Sequence, residues 1–287
     1  MLQRVQIVLL FLFIGVYSIS QVDRKTEKET NLFVLLGGAY SSFQAVDLSS
    51  VRYSGFGVSS QIGYERNTFK NHFSVTTGLS FIIEKPSTFD VVNERGLSRI
   101  IYPNIQARYL RKISRKLSIG GRLDVLDFYY RTTQGYLFGN NEMYTQNGYN
   151  LALSAKYEFS LNTKFRFSFL LDFLLLKYQR SSKSFAFAAP QTALEQGAFN
   201  YQDEALTNPF YLKFHEFLPG WSSVDIRTAF KLSYLNRWSF NYFWQLRSNS
   251  TVKGYPTTFG IHQLAVSYNI INRTKENKSK SQLNEAL

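Results

Sequence analysis

The chain has 287 residues, no cysteine and a formal net charge of +13. The lack of cysteine excludes disulfides, thiolate catalysis, cysteine-bound zinc and a lipid attached to an N-terminal cysteine. Aromatic residues make up 17% of the chain, yet the mean hydropathy is only -0.21, which excludes a helical membrane protein because spanning helices are apolar throughout. A spanning β-strand exposes only every second residue to lipid, so a membrane β-barrel is compatible with both values.

The first 20 residues have the features of a secretory signal peptide. Arg4 precedes an almost wholly apolar run over residues 5–17, and serines occupy positions 18 and 20. A spanning helix needs about 20 apolar residues, so this run is too short for a membrane anchor. We expect cleavage after Ser20, followed by a periplasmic segment at residues 21–31. Export argues against nucleic acid as the partner of this basic chain.

Residues 32–270 consist of segments in which apolar and polar side chains alternate. One segment places Phe73, Val75 and Leu79 on one face, with Ser74 and Thr76 on the other. Alternation with a period of two predicts β-strands rather than helices. The ten predicted strands span residues 32–43, 53–66, 72–84, 99–110, 117–129, 149–159, 165–176, 224–234, 238–246 and 260–270.

The connections between these segments alternate in length. Short connections at residues 67–71, 112–116, 160–164 and 235–237 follow the even-numbered strands, and longer ones follow the odd-numbered strands. Transmembrane β-barrels have short turns at the periplasmic rim and longer loops outside. The sequence therefore predicts an all-β fold, a transmembrane antiparallel up-and-down β-barrel of about ten strands. We place it in the outer membrane of a Gram-negative bacterium, in contact with outer-membrane lipid, with a polar periplasmic tail at residues 271–287.

The longest predicted loop spans residues 177–223 and is rich in aromatic residues. Loops longer than about 15 residues are usually functional or disordered. This loop is too aromatic for a simple linker, so we predict that it folds over the barrel mouth or contacts an envelope protein partner. The run Leu174-Leu175-Leu176 interrupts the alternation just before the loop and leaves the end of the seventh strand undefined.

Two features mark the rim with the short turns. Aromatic residues gather there, as at a membrane interface: Tyr64, Phe73, Tyr109, Tyr157, Phe165, Tyr234, Trp238 and Tyr268. The turns also carry cations and no acid: Arg66, Lys70, Arg111, Lys112, Arg115, Lys116, Lys164 and Arg237. We expect the cations to reach phospholipid headgroups, and the alternative is a periplasmic partner such as the cell wall.

Charged residues of both signs are predicted to face the lumen. Folding the eighth and ninth strands about their short turn sets Asp225 opposite Arg247, which predicts a cross-strand ion pair. A ten-stranded barrel is closer in bore to filled eight-stranded barrels than to porins. We therefore predict a structural charge network that fills the bore, with a narrow polar conduit as the alternative. Its members are Arg108, Arg122, Asp124, Lys156, Glu158, Arg166, Asp172, Asp225, Arg227, Lys231 and Arg247, and Glu65 faces the same lumen.

The sequence offers two weak candidates for catalysis. His72 and Ser74 are similar to the His-x-Ser arrangement of outer-membrane lipid hydrolases, in which a histidine activates a serine. However, this topology turns both residues into the lumen, and Val75 replaces the usual asparagine. A protease site like that of omptin-like barrels would require acids such as Asp203 and Glu204 to converge with His215. The three histidines lie on different elements without metal-site spacing, so we predict no metal and no cofactor.

The whole mature chain resembles the Phe- and Tyr-rich outer-membrane β-barrels of Bacteroidota, a group that includes PorT-like barrels of the type IX secretion system. The resemblance rests on Ser20-Gln21 and on aromatic strands such as residues 165–173. The polar tail after Tyr268 departs from bacterial barrels whose last strand ends the chain on an aromatic residue. We predict a non-enzymatic structural or accessory component of the cell envelope. The alternatives are a narrow channel or hydrophobic-solute transporter, and a lipid hydrolase or protease.

Overall fold

The computed structural model describes residues 27–45, 52–86, 97–134, 141–183, 214–220, 222–252 and 255–276. The predicted signal peptide and the middle of the predicted long loop lie outside these ranges. The strands are β1 (Glu27–Ala45), β2 (Tyr53–Asn67), β3 (Asn71–Pro86), β4 (Leu97–Lys112), β5 (Leu117–Gln134), β6 (Asn141–Ser160), β7 (Phe165–Lys183), β8 (Phe214–Pro219), β9 (Val224–Tyr234), β10 (Trp238–Val252) and β11 (Tyr255–Glu276).

The strands form a closed antiparallel barrel. Each strand from β1 to β7 pairs with the next, β9 pairs with β10 and β10 with β11, and the pairing of β1 with β11 closes the sheet. The eighth position of the wall is built from two pieces, because β7 pairs with β9 over its first half and with β8 over its second. The predicted ten-stranded up-and-down barrel is therefore confirmed.

The barrel is apolar outside and polar inside. Exposed side chains include Phe56, Leu123 and Phe240, whereas Asp127 and Asn150 are fully buried in the lumen. A soluble protein has the opposite arrangement, but a barrel surrounded by lipid requires this one. The side chains assigned to lipid or lumen in strands before a bulge agree with the observed burial, as in β3, where Phe73, Val75 and Leu79 are exposed and Ser74 and Thr76 are buried. Within the described ranges, no helix has the length and apolar character needed to cross a membrane.

Two β-bulges reverse the faces of their strands. In β7 the pairing with β6 slips at Leu175, so Asp172 and Leu174 point inward before the bulge, and Lys177 and Gln179 do so after it. In β5 a similar slip lies at Val125 and Leu126. One extra residue inverts every later side chain because strands alternate with a period of two.

The predicted loop at residues 177–223 is too long, because both of its ends belong to strands. Strand β7 continues to Lys183, and β8 precedes β9 in the wall. The break between β8 and β9 lies at Gly220, whose backbone N–H donates to the Leu175 carbonyl at 2.8 Å. A Cβ at residue 220 would clash with the Leu174 carbonyl, so this approach requires glycine.

The first and last strands, β1 and β11, are also longer than predicted. Strand β1 begins at Glu27 and β11 ends at Glu276. The residues paired there include Thr30 with Arg273 and Asn31 with Asn272. Residues 27–31 and 271–276, which the sequence assigns to a periplasmic segment and tail, are therefore strand. Backbone pairing between two polar segments carries no hydrophobic signal, so alternation did not reveal it.

Aromatic residues ring the outer face at both ends of the barrel. Near the short turns, ring centroids lie 5.1 Å apart for Phe165 and Tyr234 and 4.8 Å apart for Trp238 and Tyr268. Toward the long loops, Tyr40 contacts Phe56 at 5.0 Å. Two aromatic belts on either side of an apolar band are typical of a barrel that spans a membrane.

Candidate functional site: the filled lumen

Side chains from opposite walls meet inside the barrel in three layers. The short-turn layer lies nearest the short turns, the central layer contains most of the charge, and the aromatic layer lies toward the long loops. In each layer, contacts join strands that are three or more positions apart around the wall. The bore is therefore bridged by side chains rather than merely lined by them.

The central layer contains two clusters of ion pairs, which we call its two centres. Asp172 of β7 lies in the middle of the first. Its carboxylate contacts Arg108 of β4 at 2.7 Å and Arg122 of β5 at 2.6 Å. Ser154 of β6 donates a further hydrogen bond to it at 2.5 Å. Arg122 also lies 3.0 Å from Asp124. Apart from Arg108, whose side chain is 11% exposed, these side chains are buried, so their charges are compensated largely by one another.

The second centre of the central layer joins β5, β9 and β10. Asp225 lies directly opposite Arg247 in the sheet register, and its Oδ2 lies 3.1 Å from Arg247 Nε. Arg247 also reaches across the bore to Asp127, which accepts a hydrogen bond from Tyr102 at 2.7 Å. Arg227 contacts both centres, because its Nη2 lies 3.0 Å from Asp124 and its Nε 3.4 Å from Asp225.

Lys177 is the buried lysine of the central layer, and it differs from the arginines there in its contacts. Its side chain is 1% exposed, and its Nζ has no hydrogen-bond partner among the described residues. The bulge in β7 is the reason that this lysine points inward at all. The central layer holds five cations and four carboxylates: Arg108, Arg122, Lys177, Arg227 and Arg247 with Asp124, Asp127, Asp172 and Asp225.

The short-turn layer holds the remaining members of the predicted network. Lys231 of β9 lies 3.3 Å from Glu65 of β2, on the far side of the bore. Arg166 of β7 reaches across to Glu29 of β1 at 3.0 Å. Lys156 and Glu158 pair at 3.0 Å along β6. The predicted set thus divides into two groups, with Lys156, Glu158, Arg166 and Lys231 apart from the central layer.

The aromatic layer closes the bore toward the long loops. Tyr129 stacks on Phe43 at a centroid distance of 5.8 Å and meets the edge of Phe259 at 4.8 Å. Arg131 lies 4.4 Å above both Phe43 and Tyr53, and its Nε is 3.5 Å from Glu84. Cation–π contacts of this kind are strengthened where water is excluded. The layer thus consists of packed rings with a buried ion pair between Arg131 and Glu84.

Sequence reasoning missed Asp127, Arg131 and Lys177 as lumen residues. All three follow a bulge. Asp127 lies in a predicted strand whose uninterrupted alternation assigns it to the lipid face, whereas Arg131 and Lys177 fall in predicted connections. A signal was present in β5, since Arg122 and Asp124 are even-numbered whereas Asp127 and Arg131 are odd-numbered. Charged residues that switch from even to odd positions within one strand indicate a bulge.

A cavity of about 100 Å³ lies within the lumen beside the central layer. Polar side chains line much of it: Ser59, Gln61, Asn104, Gln106, Gln245 and Gln263, beside Arg108, Asp172 and Arg227. A polar space of this size is large enough for water. A second cavity, of about 10 Å³, lies beside Tyr129 and Arg247.

The candidate catalytic residues do not form a site within the described residues. His72 and Ser74 are buried in the lumen, and His72 Nδ1 contacts Asn67 Oδ1. Asp203, Glu204 and the side chain of His215 lie outside the described part of the chain. In the ranges described, no group of three or more metal-ligating His, Asp or Glu side chains is present.

No protein-family model matches this sequence, and no curated protein sequence matches it. Similar solved structures include the outer-membrane protease OmpT of Escherichia coli, at 6% identity and a TM-score of 0.45, over 88% of this chain and 99% of that one. The translocator domain of the autotransporter NalP of Neisseria meningitidis has 10% identity and a TM-score of 0.36, over 93% and 95% of the chains. An outer-membrane channel of Pseudomonas putida F1 has 8% identity and a TM-score of 0.36, over 88% and 98%. Values this low support no inference about activity.

Proposed function

We propose that the protein is a non-enzymatic integral outer-membrane barrel whose bore is closed, and that it serves as a structural or accessory component of the cell envelope. The observation that carries this proposal is the bridging of the bore by side chains from opposite walls. Arg247 meets Asp127, and Lys231 meets Glu65, each pair across the lumen. Porins conduct because their wider bore leaves a continuous water column.

The membrane setting is supported by the outer face. Apolar side chains cover it between the two aromatic belts, and such a surface is stable only in contact with lipid. The predicted signal peptide at residues 1–20 directs the chain to an export pathway. The resemblance to PorT-like barrels of Bacteroidota supports an accessory role, in which the long loop contacts an envelope protein.

Liposome swelling tests the closed bore. Liposomes that contain the full-length protein are placed in isotonic solutions of glycine, arabinose or sucrose, and swelling reports entry of the solute. We expect the same response as from protein-free liposomes, while a porin in parallel liposomes serves as the positive control. Swelling in all three solutes would overturn the proposal in favour of an open pore.

A narrow channel is the second candidate, and the polar cavity of about 100 Å³ favours it. Amide and hydroxyl side chains such as Gln61 and Ser80 line this space beside the central layer, and they offer hydrogen bonds to water. A channel of this width admits only the smallest solutes. Swelling in glycine but not in arabinose or sucrose would establish this candidate and exclude a fully closed barrel.

A further inference from the structure

The four short turns of the barrel repeat one layout. Each joins an apolar residue to a polar residue that forms the turn: Phe69 with Thr68, Ile113 with Ser114, Leu161 with Asn162 and Leu235 with Asn236. The four apolar side chains are between 52% and 66% exposed. We call this end of the barrel, residues 66–70, 111–116, 161–164 and 235–237, the short-turn rim.

Side-chain hydrogen bonds fix the turns of the short-turn rim. Ser114 Oγ accepts from the backbone N–H groups of Lys116 and Leu117. Asn162 Oδ1 accepts from the corresponding groups of Lys164 and Phe165, at 2.9 and 2.8 Å. Turns closed in this way are ordered. They therefore hold their apolar residues outside the barrel in a defined position.

Leu235 is the clearest case. With φ values of 49° for Leu235 and 56° for Asn236, the two residues lie in the left-handed region, within the three-residue connection between Tyr234 and Trp238. Asn and Gly adopt this region readily, whereas leucine does so at a cost. Leu235 is half exposed, so internal packing does not account for an apolar residue there.

The charge of the short-turn rim is of one sign. Its turns contain eight Lys and Arg residues and no acid. Glu27 and Glu276 pair in register at the start of β1 and the end of β11, on this side of the barrel. The carboxylates of Glu29, Glu65 and Glu158, which lie next to the turns, form ion pairs with Arg166, Lys231 and Lys156. The rim thus combines cations with apolar tips directly beside the aromatic belt that contains Tyr234 and Trp238.

We propose that the short-turn rim is a binding surface for anionic phospholipid. The cations contact lipid phosphates, and the apolar tips enter the boundary between headgroups and acyl chains. Both chemistries are complementary to a bilayer surface, where cations are attracted and apolar side chains are buried. This proposal rests on the proposed function, since it requires the barrel to be inserted in a membrane.

The test uses the full-length protein in phosphatidylcholine nanodiscs with and without phosphatidylglycerol. Native mass spectrometry counts the phosphatidylglycerol molecules that remain bound after detergent extraction. We expect retention to decrease in high salt. The combined change Lys70→Gln, Lys164→Gln and Arg237→Gln should lower the affinity for phosphatidylglycerol at least tenfold, since each cation near an anionic surface contributes about fivefold.

Two further variants separate lipid binding from a structural role. Leu235→Asn suits the turn better than leucine, so it should preserve or improve stability while reducing retention of both lipids. The matched control Lys85→Gln with Arg99→Gln removes exposed cations at the other end of the barrel, and should leave phosphatidylglycerol binding unchanged.

Three results would overturn this inference: no preference of the wild type for phosphatidylglycerol, an equal loss in the control, or no effect of the rim variants. The last would leave a periplasmic protein or the cell wall as the partner of the rim. A barrel that fails to enter nanodiscs would instead contradict the proposed function, so the two failures are distinguishable.

Discussion

Removing Arg247 should destabilise the barrel more than removing Asp225, its partner across the sheet. Arg247 is 3% exposed and contacts two carboxylates, those of Asp225 and Asp127. Arg247→Gln leaves two buried acids with only Arg227 as a common counter-ion. Breaking a buried pair by removing one partner costs about 3–5 kcal/mol. We expect Arg247→Gln to lie in that range.

Asp225→Asn should be milder, because its cations keep other partners. Arg247 retains Asp127, and Arg227 retains Asp124. The loss then approaches that of hydrogen bonds to a charged group, about 1.5–3 kcal/mol. In the double variant, the loss should be smaller than the sum of the two single losses by about 0.5–3 kcal/mol, since the pair is already absent.

The assay is reversible unfolding of the barrel in lipid vesicles by guanidinium chloride, followed by tryptophan fluorescence. Lys156→Gln with Glu158→Gln is the matched control, because this pair lies along one strand with side chains 11% and 23% exposed. We expect little coupling there. Strictly additive losses for Asp225 and Arg247, or an equal response of the control, would refute a buried network in the bore.

Three other predictions follow from the faces of the wall. Phe169→Arg, on the lipid face of β7, should destabilise the barrel by about 2–4 kcal/mol, whereas Ser168→Arg should be milder; the reverse order by vesicle unfolding would show that the faces are inverted. Lys177→Met should raise the free energy of unfolding by about 1–3 kcal/mol, because it removes a buried ammonium without a hydrogen bond, and a loss of stability would mean that the ammonium is compensated. Protease added to intact cells should cut within residues 184–213 and spare residues 113–116, and cleavage of that turn would reverse the orientation.

The strands of the barrel wall could be predicted because the alternation of apolar and polar residues in each strand reflects its contact with lipid on one face and the lumen on the other. Phe73, Val75 and Leu79 alternate with Ser74 and Thr76 whatever the neighbouring strands are, since lipid and lumen impose opposite polarities. The Asp225 and Arg247 register was also accessible, because the short connection at residues 235–237 fixes the pairing of β9 with β10. Local sequence was sufficient wherever the interaction was local.

The contents of the lumen could be predicted only in part. Arg247 meets Asp127 across the bore, and no pattern along the chain relates two positions 120 residues apart. The bulge at Val125 and Leu126 also hid Asp127, because it turned a residue assigned to lipid into the lumen. The aromatic layer was missed for a related reason. Phe43 and Tyr129 point inward, where the prediction expected polar residues.

Single-channel recording in planar bilayers tests the closed bore most directly. The wild-type barrel should show at most brief, small openings. The variant with Phe43→Ala and Tyr129→Ala removes two stacked rings from the aromatic layer, so it should conduct more often and more strongly than the wild type. A steady, porin-like conductance in the wild type, unchanged by these substitutions, would contradict the account.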